Sequence, residues 1–334
     1  MVTRDEFGRV SFREGTASGE SSLRIGNCWH LFVRHTSVVE PLDSIRSVLK
    51  IMAHRGFRHV PVVRRGEHAG AKELLGMVSA QDLIDLLSRI SSGIEKGKED
   101  ESGLLSGLDN HVSSIMSSNP VTISSDESIL DAIRVMSEKN VGALPVVKSE
   151  PRTSPLNPPK LLGIITLRDL VSLLAAYVPF GIRAEEIMSR QVVLTRSNAA
   201  ISSALALMAS NRVRRLPVVD PKSKSVQGMV TNKMLVRYFE SSVAYGSLRT
   251  GIEASHRQPV GMIMMSPMPL LDPKEDCGTA AYMMREVGTG GFAIADSRGL
   301  LGILTERDLI KRIHDRSGVS FFSSLFAKAQ AIYC

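Results

Sequence analysis

The sequence predicts an α/β fold in which one unit of helix, strand, strand and helix occurs four times. In each copy a helix carries a small or branched residue four positions before a methionine. Nine positions after that methionine, an apolar strand opens with proline or alanine, and a later glycine stands three positions before serine or threonine. Fixed spacing kept in four copies indicates a repeat architecture. The markers are Met52, Met136, Met208 and Met284; Pro61, Pro145, Pro217 and Ala293; and Gly76, Gly163, Gly228 and Gly302.

Unit one shows the order of elements most clearly. Apolar residues between 43 and 54 recur at helical spacing, and an extended piece at 37–39 precedes them. Residues 60–63 and 75–78 are short apolar strands, and 81–90 again has helical periodicity. Each unit is therefore predicted to run strand, helix, strand, strand, helix.

The same order recurs at 121–176, 192–241 and 269–316. A unit of about 50 residues with a two-stranded sheet buries too little apolar surface to be stable alone. We therefore expect successive units to pair and to give two pseudo-symmetric domains.

Composition shifts suggest where the units begin and end. Residues 91–110 form a linker rich in glycine, serine and charge, and 149–160 is a proline-rich insertion that predicts a surface loop. Apolar residues on one face of the tail predict a helix that packs on its own domain or mediates assembly, and we favour packing. The predicted segments are an N-terminal arm at 1–30, repeats at 31–92, 111–177, 183–241 and 260–316, and a C-terminal helix at 317–334.

Composition narrows the class of protein. The formal charge of +7 and pI near 9.4 suit an acidic partner, although basic residues scattered over a surface explain them equally well. Aromatic residues are only 5%, which argues against a stacking platform for single-stranded nucleic acid. Cys28, Cys277 and Cys334 are far apart, which favours reduced thiols over disulfides or zinc. We find no apolar span or signal segment and expect a cytoplasmic protein.

The corner between the second strand and the second helix carries the first candidate chemistry. In three units the corner hydroxyl is followed three residues later by aspartate, giving Asp82, Asp169 and Asp308. This pattern is also that of a helix-capping box, which is the simpler interpretation of any single copy. A hydroxyl, a helix N-terminus and a carboxylate together also suit a ribose with a phosphate nearby.

A second candidate set stands just before the proline position. Units one and three have bulky basic pairs there, whereas units two and four have small residues. Basic residues would supply counter-charge to phosphates, and small residues would leave room for a flat ring. The alternative is that the arginines of unit three only form a solvated face.

These motifs closely resemble the CBS domain, in four copies that cover nearly all of residues 36–316. The resemblance implies β-α-β-β-α repeats in two tandem pairs, called Bateman modules, arranged as a flat disc. Each module would offer up to two clefts for adenosine-containing ligands. The Arg-Arg-Leu-Pro-Val-Val run at 214–219 also resembles the γ subunits of AMP-activated protein kinase, which are four-copy energy sensors.

The resemblance also implies roles for particular residues. In the family the corner aspartate holds the ribose hydroxyls, which assigns that role to Asp82, Asp169 and Asp308. The polar or phosphate contacts would be Ser79, Thr166, Thr305, Arg58, His59, Arg214 and Arg215. The residues bordering the base would be Gly142, Ala143, Gly290 and Gly291.

Two copies depart from the pattern. Unit three has Met234 where the aspartate should stand, which predicts a weak or empty cleft, although Lys233 could serve a phosphate from a neighbour. Unit four has Ala293 in place of proline, with Phe292 before it, so the motif does not fix its strand geometry. We expect at most three competent corners.

The sequence therefore predicts a non-catalytic regulator that binds an adenine nucleotide (AMP, ADP or ATP) and acts on an unidentified protein partner. We find no HExxH, Walker or GxSxG motif, and expect neither a bound metal nor a catalytic cofactor. Alternatives are a nucleic-acid-binding regulator, an S-adenosylmethionine sensor and a structural module with vestigial clefts. A monomeric disc or a homodimer fits the prediction.

Overall fold

The computed structural model describes residues 2–4, 10–12, 24–25, 36–65, 72–95, 106–149, 158–222, 225–244 and 257–333. A hairpin of β1 (Val2–Arg4) and β2 (Val10–Phe12) comes first. Unit one comprises α1 (Ile45–Arg55), β3 (His59–Arg65), β4 (Lys72–Ser79) and α2 (Ala80–Glu95). Unit two follows β5 (Ser117–Ser118) and comprises β6 (Ile123–Ser124), α3 (Ile129–Glu138), β7 (Ala143–Val147), β8 (Leu161–Thr166) and α4 (Leu167–Leu174).

The second half repeats this order. Unit three follows α5 (Ala184–Ile187) and comprises β9 (Thr195–Arg196), α6 (Ile201–Asn211), β10 (Arg215–Val219), β11 (Val226–Thr231) and α7 (Asn232–Ala244). Unit four comprises β12 (Leu270–Leu271), α8 (Cys277–Val287), β13 (Gly291–Asp296), β14 (Gly299–Thr305), a π-helical stretch at Asp308–Arg312 and α9 (Ile313–Tyr333). The predicted α/β repeat is confirmed.

The first helix of unit two illustrates why these segments are helical. Ile129, Ala132, Ile133 and Met136 recur at helical spacing and are all buried. Burying each large side chain contributes about 1.5–3 kcal/mol. The Ser128 hydroxyl caps the helix by accepting from the backbone N–H three residues on.

The central hairpin has the same register in all four units. Pro61, Pro145, Pro217 and Ala293 occupy equivalent positions, each followed by a bulge one or two residues later. Ala293 therefore leaves the strand geometry unchanged. Its backbone N–H, which proline lacks, donates to the Pro269 carbonyl at 3.2 Å.

Helix packing joins units that are not consecutive in the chain. α1 and α2 of unit one pack on α7 and α6 of unit three, and α3 and α4 of unit two pack on α9 and α8 of unit four. Leu83 and Leu205 are fully buried in the first core, and Ile133 and Ile310 in the second. The largest cores therefore run between the two halves of the chain.

Sheet packing joins consecutive units, as the sequence predicted. Units one and two share a small cluster, and so do units three and four. These clusters consist of Val63, Leu74, Val147 and Leu161, and of Met229, Met268 and Ala293. Contacts therefore run from unit one to two, four, three and back to one, which closes a ring consistent with the predicted disc.

Short segments ahead of three units pair with the sheet of a neighbouring unit. Met116–Ser117 lies along β4, Met188–Ser189 along β14, and Met264–Met265 along β11. A Cβ on Gly302 would stand 2.7 Å from the Met188 sulfur and 2.8 Å from the Ser189 carbonyl oxygen. At Gly76, Gly228 and Gly302 the repeated glycine is needed because a neighbour's backbone crosses directly over it.

The ends and linkers are described in part. Most of the arm at 1–30, residues 96–105 of the linker and 150–157 of the insertion lie outside the described residues, as do Cys28 and Cys334. Ile25 is buried in the core of units two and four, and Phe322 and Phe326 of α9 are buried there too, so the tail packs on its own chain. No helix in the described ranges has the length and apolar composition of a membrane span.

Candidate functional site

The two candidate sets of the sequence analysis lie side by side in every unit. The residue two positions before the proline site is the strand-register partner of the corner serine or threonine across the hairpin. The residue after the corner serine or threonine donates its backbone N–H to the carbonyl of the residue three positions before the proline site, at 2.8–3.1 Å. These pairs are Ala80 with Arg58, Leu167 with Gly142, Asn232 with Arg214, and Glu306 with Gly290. One bond per unit thus fixes the corner against the pre-proline residues.

Each corner aspartate uses one carboxylate oxygen to cap its helix. Asp82 Oδ2 accepts from the backbone N–H and the hydroxyl of Ser79 at 2.7 and 2.8 Å. Asp169 and Asp308 make the same pair of contacts with Thr166 and Thr305. These contacts are those of a helix cap. A ligand would therefore have to bind through the other carboxylate oxygen, Oδ1.

The second oxygen differs between units one and four. Asp82 Oδ1 has no hydrogen bond from any described residue. Asp308 Oδ1 accepts from Ser189 Oγ at 3.0 Å and from Arg312 Nε at 2.9 Å. Beside this fourth corner an open cleft of about 720 Å³ is lined by residues that include Glu185 and Arg190. A ribose there would have to displace Ser189 or Arg312.

Unit three keeps the hydroxyl cap without the carboxylate. The Met234 N–H lies 3.4 Å from Thr231 Oγ1, and the Met234 side chain packs on the core of units one and three. Lys233 points across to unit one, where its Nζ is 2.9 Å from the place of a Cβ on Gly56. Burial lowers the pKa of Lys233, and repulsion by neighbouring arginines lowers it further.

Charged residues from all four units meet at the centre of the ring. Diagonal units touch there, as when Arg58 of unit one pairs with Glu306 of unit four and Arg214 of unit three lies against Gly142 of unit two. We call these residues the central cluster: Arg58, His59, Arg168, Arg214, Arg215, Lys233, Glu306 and Arg307.

Glu306 is the carboxylate that binds the cluster together. Arg58 holds both of its oxygens, with Nη1–Oε2 at 2.9 Å and Nη2–Oε1 at 3.2 Å. Arg168 Nε donates to Oε1 at 3.0 Å. Burial alone would raise the pKa of Glu306, but Arg58, Arg215 and Arg168 outweigh it and lower the pKa to about 2. Glu306 is therefore ionised at neutral pH.

The small residues of units two and four lie against arginines of unit three. Arg215 Nη2 fills the space that a side chain on Gly290 would take, beside Glu306. Arg214 Nη1 is 2.9 Å from the equivalent place on Gly142. The room predicted for a flat ring thus holds a planar guanidinium group at both glycines. Ala143 and Gly291 pair through the strand register with the corner residues Thr166 and Thr305.

Burial and the proximity of other cations lower the pKa values of basic groups in the cluster. Burial, followed by Arg307 and Arg58, lowers the pKa of Arg214 to about 9, and burial followed by Arg58 lowers that of Arg215 to about 10. Burial also lowers the pKa of His59 well below its usual value, so this histidine is neutral at pH 7. Unit one therefore supplies one cation from its predicted basic pair.

Sequence reasoning missed Arg168, Glu306 and Arg307, which stand between a corner hydroxyl and its aspartate. Arg307 Nη1 donates to Asn140 Oδ1 at 2.6 Å and so links unit four to unit two. The signal was available, because units two and four both place arginine directly before the corner aspartate. The Ile-Met-Ser segments at 115–117 and 187–189 were missed as well.

Four repeats of one small sheet and two helices, closed into a ring with a charged centre, define the class of tandem-repeat ligand-binding modules. The sequence profile of the CBS domain matches residues 33–89, 112–176, 184–241 and 260–315. The chain therefore belongs to the CBS-domain family, whose members are generally regulatory proteins.

Three proteins show similarity to this chain in sequence or structure. An uncharacterized 33.4 kDa protein from a ribosomal RNA operon of Thermofilum pendens is 28% identical over 86% of this chain and 90% of its own length. The crystal structure of MJ1225 of Methanocaldococcus jannaschii, proposed to be an archaeal homologue of γ-AMPK, superposes with a TM-score of 0.72 at 22% identity. It covers 85% of this chain and 98% of MJ1225. Inosine-5'-monophosphate dehydrogenase of Nitrosopumilus maritimus is 32% identical over 36% of this chain and 22% of the enzyme.

Proposed function

We propose that this chain is a non-catalytic sensor that binds phosphorylated adenosine ligands in its corner clefts and regulates a protein partner. The proposal rests above all on Asp82, a half-buried corner carboxylate with one oxygen used for capping and one that accepts no hydrogen bond from the described residues. That corner is fixed by a 2.8 Å backbone bond to Arg58, a member of the central cluster. A ribose on the free oxygen would direct its phosphate toward the cationic centre.

The composition of the central cluster favours phosphate-bearing ligands. The central cluster contains six cationic side chains and one carboxylate, Glu306, which contacts two of them. Guanidinium groups bind phosphates in a bidentate manner. S-adenosylmethionine carries a positive sulfonium in place of phosphate, and the cluster would repel it. The resemblance of the 214–219 run to the γ subunits of AMP-activated protein kinase supports an adenine nucleotide as the ligand.

The corners should differ in affinity. Unit one has an unoccupied oxygen, unit four has its second oxygen bonded to Ser189 and Arg312, and unit three has no carboxylate. We propose that unit one binds more tightly than unit four and that unit three stays empty. Native mass spectrometry with increasing AMP should therefore show at most three bound nucleotides, and a fourth would contradict the assignment of Met234.

Calorimetric titration of AMP, ADP and ATP tests the ribose assignment. Asp82→Asn keeps an oxygen that can accept the capping bonds but removes the charge that binds ribose hydroxyls strongly. We expect at least a tenfold loss of affinity at that corner, because a hydrogen bond to a charged group contributes about 1.5–3 kcal/mol. Asp169→Asn should weaken the second corner in the same way.

Asp131→Asn is the matched control. Asp131 caps α3 through the same two contacts with Ser128, but it does not lie at a corner between strand and helix. This variant should bind nucleotide with wild-type affinity. If Asp82→Asn and Asp169→Asn also keep wild-type affinity, the corner aspartates are only helix caps and the proposed ribose role is wrong.

A further inference from the structure

We propose that Glu306 is an internal anion that occupies the phosphate-binding arginines of the ligand-free protein and is displaced when a polyphosphate ligand binds. The inference rests on the proposed function and specifies its selectivity. Ligands with enough negative charge to compete with a carboxylate would enter the centre, and weaker anions would not.

The contacts of Glu306 are those expected of a phosphate. Arg58 grips both carboxylate oxygens, and Arg168 adds a third bond to one of them. Bidentate binding by guanidinium groups is shared by carboxylates and phosphates. The arginines come from units one and two, so a carboxylate of unit four holds together cations that a ligand would otherwise join.

The cluster has capacity for more negative charge than Glu306 supplies. Among the described residues, Glu306 forms ion pairs with Arg58 and Arg168 but not with Arg214 or Arg307, and Lys233 lies close by against Gly56. Asn232 holds in unit three the position that Glu306 holds in unit four. Its buried Nδ2 has no hydrogen-bond partner among the described residues. Unbalanced cations and an unused donor are features of an anion site.

Glu306 is also placed so that it can leave. It is the first residue after the Thr305 corner, and its backbone N–H is fixed to the Gly290 carbonyl at 3.0 Å. In the proposed exchange the side chain turns away from Arg58 and Arg168 while its backbone stays bonded to Gly290. The exchange replaces one anion by another and leaves the cations paired throughout.

The test uses inorganic tripolyphosphate and ATP, titrated by calorimetry into the full chain at fixed ionic strength. Glu306→Gln should bind both ligands at least tenfold more tightly than wild type, because no internal anion competes. AMP, with a single phosphate, should gain less. Equal or weaker tripolyphosphate binding by Glu306→Gln would overturn the proposal.

Glu73→Gln is the matched control, since Glu73 also pairs with an arginine, Arg64, at 2.7 Å but lies on the outer part of β4. Its affinities should stay within twofold of wild type. If Glu306→Gln does not fold alone, tripolyphosphate added during refolding should restore it, and failure of that rescue counts against the proposal.

The two proposals fail in different ways. If tripolyphosphate binding rises in Glu306→Gln but adenosine adds nothing to affinity, the anion exchange stands and the nucleotide function falls. If ATP binds tightly and equally to wild type and Glu306→Gln, the nucleotide function stands and the internal anion is rejected.

Discussion

Two carboxylates of the candidate site, half-buried Asp82 and buried Glu306, have pKa values shifted in opposite directions. Desolvation, partly offset by the Ser79 donors, raises the pKa of Asp82. Glu306 has three arginines around it, and its pKa falls to about 2. Burial disfavours both charges, but only Glu306 has cations close enough to reverse the effect.

The raised pKa of Asp82 predicts that its charge destabilises the ligand-free protein at neutral pH. A carboxyl group whose folded-state pKa is raised contributes stability at low pH and loses it as pH rises. Asp82→Asn should therefore raise the melting temperature at pH 7 by roughly 1–3 °C, although it weakens nucleotide binding. Differential scanning calorimetry without nucleotide checks this.

Asp131→Asn should change stability in the other direction. Burial, the largest single influence, raises the pKa of Asp131, but Arg134 and Ser128 together lower it more, so the net shift is downward. The charge is therefore stabilising, and its removal should lower the melting temperature. If both variants shift the same way, capping dominates and the difference in charge environment is unimportant.

Glu306 predicts an acid-dependent loss of stability. Its lowered pKa means that its contribution is complete above pH ~4.5 and is lost as pH falls toward about 2. Glu306→Gln leaves buried arginines without their partner, and breaking a buried pair costs roughly 3–5 kcal/mol at pH 7. The gap in unfolding free energy between wild type and variant, measured by urea denaturation, should narrow over that pH range. A gap that is constant from pH 7 to 3 would show that the charge of Glu306 is not what stabilises the cluster.

At the scale of single elements, the strand edges explain the repeated glycines. A methyl group on Gly302 would meet the Ser189 backbone, which has little freedom to move because it is bonded to Ile303 at 2.9 Å in both directions. Gly302→Ala should lower stability by about 1–3 kcal/mol, the usual cost of overpacking. Thermal or urea unfolding measures the change.

Gly107→Ala provides the comparison for this element. A Cβ there would meet the far end of the Ile90 side chain, which can change rotamer. Gly107 lies in a short helical turn at 106–109, where alanine is the better helix former, so this variant should be neutral or slightly stabilised. Equal destabilisation by both substitutions would mean that the crossing backbone of Ser189 is not the cause.

The sequence allowed the elements to be predicted but not their neighbours across the ring. The spacing of Met52, Pro61 and Gly76 specified helix, strand and corner, and the hairpin register then brought His59 to Ser79. It did not indicate that Arg58 would meet Glu306, which lies 248 residues away. Spacing reflects hydrogen bonding within a unit, whereas the central contacts depend on which helix faces pack together.

At the scale of the whole molecule, half of the chain cannot cover the apolar faces of its own helices. The main cores pair unit one with three and unit two with four, so a fragment of residues 31–182 would expose the faces of α2 and α4 that α6 and α8 cover. Exposed apolar faces of this size drive association.

We therefore expect the 31–182 fragment to dimerise through these helices or to aggregate. Analytical ultracentrifugation of the fragment beside the full chain measures this. A fragment that stays monomeric and melts at the temperature of the full chain would contradict the assignment of the main cores.

The short segments that pair with the sheet of a neighbouring unit bear on how such a protein can arise by gene duplication. The segment that leads into unit three completes the sheet of unit four, and the segment that leads into unit four completes that of unit three. A copy of one repeat cut at its sequence boundaries would carry a strand meant for its neighbour and lack its own. The smallest heritable piece that folds with complete sheet edges is therefore a pair, and loss or gain of a single repeat would leave two incomplete sheets.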